Sequence, residues 1–311
     1  MKNAESFPLP EAIVRPTTFI EASRLSNRLG ADIVVASETF QYTGSFKFRA
    51  AYHVARTVPQ SLLIAASSGN FGQALAYACS LLKKSCIIVM PATSAQVKVN
   101  AVREFGGQVE FVDVRGKSRA ERVAEIAALH PDAYVASAYD DPLVIQGNST
   151  LGREIAALHN KPEVVIVPIG GGGLISGIIT GLHASKSDVR VIGAEPLVAN
   201  DAARSLREGI LVRNEYEPAT IADGARTLSL GRYNWEIIRH TGCNVVEVPE
   251  EKISEAVRLL FEFANLKVEP TGALSLAAVM TLPESFSGRR ICCVVSGGNV
   301  DPMVYAELLR P

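Results

Sequence analysis

The chain has 311 residues and a formal net charge of -1, with 48% hydrophobic and 20% charged residues. That composition is globular and supplies core for one large or two moderate domains. Near-zero charge argues against nucleic acid or an anionic membrane as the main partner; no apolar run spans a bilayer, and Met1 to Pro10 lacks a signal-peptide core, so a cytoplasmic protein is expected.

The start of the chain predicts a helix over Glu21 to Leu29 and a strand over Asp32 to Ala36. Thr43-Gly44-Ser45 then turns into a helix that Ser45 is expected to cap, with Phe46, Phe48 and alanines as its apolar face. Strand Leu62 to Ala66 ends in Ser67-Ser68-Gly69-Asn70, and a helix over Gly72 to Leu82 follows. Strand Cys86 to Met90, helix Ser94 to Phe105 and strand Gln108 to Val114 come next. Ser118 and Glu121 form a capping box for a helix reaching His130, and Ala133 to Ser137 closes the run. Tyr139 to Pro142 looks like a domain crossing.

A second run begins with a helix over Ser149 to His159. Strand Glu163 to Ile169 leads into Gly170-Gly171-Gly172-Gly173 and a helix from Leu174. Strand Val189 to Ala194 ends in Glu195-Pro196, followed by a helix over Asn200 to Glu208 and an irregular stretch to Arg232. Strand Asn244 to Val248 and helices Glu251 to Asn265 and Gly272 to Thr281 precede the strand Arg290 to Val295, which ends in Ser296-Gly297-Gly298-Asn299. Alternation of strand and helix implies an α/β fold with two parallel sheets and right-handed crossovers. Loops at the strand carboxyl ends face the cleft where such folds bind ligands. The five cysteines are odd in number and lack metal spacing; Cys292-Cys293 falls in an apolar strand and reads as buried filling.

Each loop suggests a chemistry. Lys47 falls in the first turn of its helix, where the dipole and two phenylalanines disfavour an ammonium; a partly neutral lysine can attack a carbonyl. Consecutive glycines at a helix start let backbone N–H groups converge on a phosphate. Gly171 and Gly173 also fit the first two glycines of a dinucleotide fingerprint, with Glu195 as ribose acceptor, although Ser176 stands where the third glycine belongs. Ser67 to Asn70 suits a carboxylate or a phenolic oxygen, or is simply a capped helix start. Ser296 could bond a ring nitrogen without placing a charge beside it. Together these describe pyridoxal phosphate held by a lysine.

The ordered motifs Thr43 to Lys47, Ser67 to Asn70, Gly170 to Gly173, Glu269-Pro270-Thr271-Gly272-Ala273 and Ser296 to Asn299 resemble those of fold-type II pyridoxal-phosphate enzymes, of the serine/threonine dehydratase and serine racemase branch. The resemblance covers nearly the whole chain. It implies two doubly wound parallel-sheet domains, tryptophan synthase β-like, with the cofactor in the cleft between them: a large cofactor-binding domain (1–50 plus 141–311) and a small mobile one (51–140). It makes Lys47 the covalent holder of the cofactor and the α-proton base. Phe46 would pack on the cofactor, Asn70 would bond its ring hydroxyl, Gly170, Gly171, Gly172 and Gly173 would hold its phosphate, and Ser296 would meet its ring nitrogen. Ser67, Ser68 and Asn70 would bind substrate, with Ser68 acting on the opposite face. Glu195, the carbonyl of Ala199 and Asp201 resemble a magnesium or calcium site, against a capped helix start as the simpler alternative.

The implied activity is removal of water from serine, threonine or a related β-hydroxy amino acid, giving a 2-oxo acid and ammonia. A racemase, a β-replacement synthase, or a sensor that has lost turnover are the alternatives. A homodimer is also implied. Phe71 stands where the family usually has histidine, Gly147-Asn148-Ser149-Thr150 replaces a usual Gly-Gln-Gly-Thr, and Ala225-Arg226-Thr227 follows the familiar Ala222-Asp223-Gly224. These departures leave the substrate open. The chain ends soon after Ser296, so isoleucine feedback through a C-terminal regulatory domain is not expected.

Overall fold

A computed structural model describes residues 13–94 and 96–310; the expectation for Met1 to Pro10 lies outside them. The chain opens with β1 (Thr18–Glu21), α1 (Ser23–Leu29) and β2 (Asp32–Ser37), then α2 (Lys47–Thr57). Next come β3 (Leu62–Ala66), α3 (Asn70–Leu81), β4 (Ser85–Pro91), α4 (Gln96–Glu104), β5 (Gln108–Val112), α5 (Arg119–Leu129) and β6 (Tyr134–Ala136). The second run is α6 (Pro142–Ala156), β7 (Val164–Pro168), α7 (Gly173–Ala184), β8 (Arg190–Pro196), α8 (Asp201–Glu208), α9 (Arg232–His240) and β9 (Asn244–Val248). It closes with α10 (Glu250–Ala264), α11 (Pro270–Thr281), α12 (Pro283–Phe286), β10 (Arg290–Val295) and α13 (Pro302–Leu308).

Two sheets result. The small one runs β5-β4-β3-β6, all parallel; the large one runs β1-β2-β10-β7-β8-β9, parallel except for β1 on β2. Strands buried on both faces need continuous apolar runs, and the central β7 and β10 have them. Apolar clusters cover both faces of each sheet. Among the described residues, no helix is long and apolar enough to cross a membrane.

Most strands and helices lie where the sequence predicts, including the Ser118–Glu121 capping box. Helix α6 differs, beginning at Pro142 rather than near Ser149. Asp141 accepts from Leu143 N at 2.7 Å, and a proline at the first helical position gives up no helical hydrogen bond. Strand β1 and helices α9, α12 and α13 were not anticipated. Helix α6 also ties the other site helices together: a Cβ on Gly147 would meet Arg49 O of α2 at 2.7 Å, and one on Gly177 of α7 would strike Asn148.

Candidate active site

Lys47 is the first residue of α2, and the turn before it is docked onto the turn after β10. Ser45 bridges Gly297, Phe46 N donates to Ser296 O at 2.9 Å, and Gly298 N donates to Gly44 O at 2.9 Å. Gly44 has φ +70, and a side chain there would strike Asn299. Ser45 does not cap the helix as expected: the N-cap is Phe46, with no side-chain cap. The neighbours of Ser45, Gly44 and Phe46, carry the hydrogen bonds of the bridge; the Ser45 carbonyl accepts from Phe48 N at 3.3 Å, and its buried hydroxyl finds no partner among the described residues.

The Lys47 Nζ donates to Ala138 O at 2.7 Å and lies 4.9 Å from the Phe46 ring centroid and 6.0 Å from that of Phe71. Burial pushes its pKa down to about 8, against the opposing pull of the Glu269 carboxylate. Phe71 is buried in the small-sheet core, so the position where the family usually has histidine is a packing position here. Two residues beyond the lysine, buried Arg49 fastens α2 in place. Its Nε donates to Glu38 Oε2 at 2.7 Å and its Nη2 to Glu38 Oε1 at 2.9 Å. Nη1 reaches Glu154 Oε1 at 2.7 Å and Thr150 Oγ1 at 2.8 Å. Sequence reasoning missed this network, because its members are far apart in the chain.

The tetraglycine loop joins β7 to α7. Gly172 has φ +88, and a Cβ on Gly171 would run into the Tyr139 ring. Gly170 approaches Gly224 O, which a Cβ would meet at 2.5 Å. A larger residue at any of these three would push the loop out of shape. The first N–H groups of a helix have no intrahelical acceptor and attract an anion.

Across the cleft, Ser67 Oγ accepts from Gly72 N at 3.0 Å and Gly69 N at 3.3 Å, so this hydroxyl braces its own turn. Ser68 is half-buried with no side-chain hydrogen bond among the described residues. Asn70 Nδ2 donates to both oxygens of Glu269, at 2.9 and 3.1 Å, and its Oδ1 accepts from Asn299 Nδ2 at 2.8 Å. Asn70 is thus engaged with the protein. Burial, then the charge of Asp223, raises the Glu269 carboxyl to about 7. The motif containing Glu269 was legible in the sequence, but its place beside Lys47 and Asn70 was not. Ser296 is buried at the end of β10, and its Oγ has no partner among the described residues.

These residues fit pyridoxal phosphate: an amine whose charge is disfavoured, a loop only glycine can form at a helix start, and a buried hydroxyl with unused bonding capacity. The cation set is less clear. Glu195 accepts from Ala203 N at 2.7 Å and Ala202 N at 3.2 Å, which is the capped helix start. Asp201 Oδ1 accepts from Asn214 Nδ2 at 3.0 Å, and its buried Oδ2 has no partner among the described residues. Ala199 is buried in a short 3-10 turn between them. Burial raises Glu195 to about 8 and Asp201 to about 6. Among the described residues, no three His, Cys, Asp or Glu side chains gather to hold a metal ion.

Comparison with known proteins agrees with this geometry. The family model described as "Pyridoxal-phosphate dependent enzyme" matches residues 11–297. L-threo-3-hydroxyaspartate ammonia-lyase of Pseudomonas sp is 35% identical over 304 residues, covering 96% of this chain and 95% of that protein. Serine racemase of Homo sapiens is 35% identical over 92% of this chain and 86% of its own. Among solved structures, the T.th. threonine deaminase has a TM-score of 0.86 and 38% identity over 92% of both chains. The chain belongs to the pyridoxal-phosphate dependent enzymes, with the fold-type II architecture of two parallel sheets flanking a cleft.

Proposed function

We propose that this protein is a dehydratase, an ammonia-lyase that removes water from serine, threonine or a related β-hydroxy amino acid such as 3-hydroxyaspartate. The observation that carries this is Lys47, its ammonium disfavoured by burial, on a helix whose entry turn bonds the backbone carbonyl of Ser296, the residue whose buried hydroxyl has no partner among the described residues. Lys47, Gly170 to Gly173, Ser296 and the Phe46 ring would hold pyridoxal phosphate, with Asn70 beside the ring. The bound cofactor supplies an electron sink that acidifies the substrate α-C–H. Lys47 takes that proton at Nζ. A neutral hydroxyl at Ser296, rather than a carboxylate, favours loss of the β-hydroxyl over transfer of the amino group. Ser67, Ser68 and the N–H groups of their turn orient the substrate carboxylate. The C–O bond breaks, the departing hydroxide takes up the proton held at Lys47 Nζ and leaves as water, and the released enamine tautomerises and hydrolyses with one water to a 2-oxo acid and ammonia.

Purified full chain should show the visible absorption of bound cofactor and form 2-oxo acid from one member of a D- and L-hydroxy-amino-acid panel. Lys47→Ala should lose the band and at least about a hundredfold in rate, the scale of general-base removal. An unchanged spectrum would overturn the cofactor assignment. Racemisation is the second reading, supported by the free Ser68 hydroxyl. Ser68→Ala should then abolish chiral inversion and spare much of the elimination from the L-substrate; an unaltered product ratio excludes it.

We also infer that residues 51–140 form the mobile domain against 1–50 plus 141–311, that the chain acts as a homodimer in the cytoplasm, and that magnesium or calcium binds Glu195, Asp201 and the Ala199 carbonyl. Among the described residues neither buried carboxyl forms a salt bridge, and a dication would neutralise both. A chelator should then lower Tm, and magnesium should restore it.

A further inference from the structure

The tetraglycine loop is held from behind by two side chains. Asn148 of α6, wholly buried, donates from Nδ2 to Gly173 O at 3.0 Å. Asn234 of α9, equally buried, donates from Nδ2 to Gly171 O at 2.7 Å and to Tyr139 O at 3.0 Å. The described peptide bonds are all trans, and in a trans peptide the C=O and the next residue's N–H point in opposite directions. Turning the Gly171 carbonyl back onto Asn234, with Gly231 N donating to the same oxygen at 3.0 Å, therefore turns the Gly172 N–H forward. Tying the Gly173 carbonyl to Asn148 does the same for Leu174 N–H at the start of α7.

Both asparagines keep a buried Oδ1 with no partner among the described residues. An unmatched buried acceptor is destabilising, and an apolar residue of the same size would remove it. What that residue would lose is the Nδ2 donor. Asn148 reaches Gly173 where α6 and α7 approach closely at Gly177, on which a Cβ would meet the Asn148 Cβ at 2.4 Å.

We propose that Asn148 and Asn234 are positioning residues for the cofactor phosphate. They fix the peptide planes of the loop so that the Gly172 and Leu174 N–H groups face the anion. This rests on the assignment of the loop as the phosphate cradle. The test compares pyridoxal phosphate with pyridoxal, which has the aldehyde and ring but no phosphate. Dissociation constants are measured on the cofactor-stripped full chain of the parent, Asn148→Leu and Asn234→Leu.

Each leucine variant should bind pyridoxal phosphate about tenfold more weakly, the scale of one hydrogen bond acting on a charge, and bind pyridoxal as the parent does. Thermal unfolding monitors the fold. Should a leucine variant fail to fold, the aspartate variant, equal in size and lacking the donor, takes its place. Equal loss for both ligands, or no loss for either, overturns the positioning role. A parent that does not prefer pyridoxal phosphate over pyridoxal overturns the cradle itself, a different and distinguishable failure.

Discussion

The loops on the two sides of Lys47 are held in different ways. The tetraglycine loop is fixed by buried contacts from several elements: Asn148 and Asn234 on its carbonyls, Tyr139 against Gly171, and Gly224 against Gly170. The Ser67 to Asn70 turn is braced mainly from within, by Ser67 Oγ on two of its own N–H groups. From it, the Asn70 amide bonds Glu269 and Asn299 on the far side of the cleft. Beyond that turn, the ion pairs joining the two sides among the described residues are the exposed Lys98–Asp223 contact at 2.8 Å and the looser Arg119–Glu217 contact at 3.8 Å. A few breakable polar contacts on one side and a packed loop on the other support the proposal of a fixed cofactor cradle and a mobile substrate turn.

The largest test strikes the fixed side. Arg49→Met should remove about 3–5 kcal/mol of stability, because the buried Glu38 carboxylate loses its charge partner. It should also loosen Lys47, which shares the first turn of α2. Denaturant unfolding of the cofactor-stripped chain measures the first effect. A loss below about 1 kcal/mol would mean that α2 is held by apolar packing alone. Replacing Arg49 and Glu38 together by apolar residues should recover much of the loss, since no charge is then left unpaired.

A test by pH bears on the cross-cleft contact. Glu269 titrates near 7 in the folded chain against an ordinary 4.5, so its burial penalty is complete above pH 7 and is relieved as pH falls toward 4.5. The advantage of Glu269→Gln over the parent in unfolding free energy should therefore grow from pH 5 to pH 8. Lys47 runs the other way: its penalty is complete below pH 8 and fades toward its ordinary 10.5. The rate at which the stripped parent captures pyridoxal should rise to a half-point near pH 8. In Glu269→Gln that half-point should move lower, because the carboxylate is what draws it up. A half-point near 10.5 in the parent would show a solvated lysine.

Short-range signals account for what was legible in the sequence. Glycine runs, the Ser118–Glu121 box and β-branched strands are local, and the five motifs lie on loops that the two sheets converge. Where local chemistry had two solutions, the prediction failed. Ser45 had a good capping side chain, yet the pairing of its turn with Gly297, bonded through Gly44 and Phe46, sets the N-cap at Phe46. Pro142 looked like a break and became the first residue of α6, because Asp141 caps it. Asn234 lies in a helix with no side-chain cap to announce it, far in sequence from the glycines it holds. Arg49 needed Glu38 and Glu154 to become visible, and only folding brings those three together.

The smallest effect is the most informative about motion. Lys98 on α4 and Asp223 have side chains 37% and 41% exposed, so their pair contributes about 0.2–1 kcal/mol and is screened by salt. Lys98→Met should barely move Tm. If the pair holds the movable turn closed over substrate, KM should rise by up to about fivefold, that energy expressed as a ratio, with kcat nearly unchanged. Raising sodium chloride should increase the parent's KM toward the variant's and leave the variant's where it is. A KM that ignores both the substitution and salt would place closure elsewhere, on the Asn70–Glu269 contact, which is part-buried and less sensitive to screening.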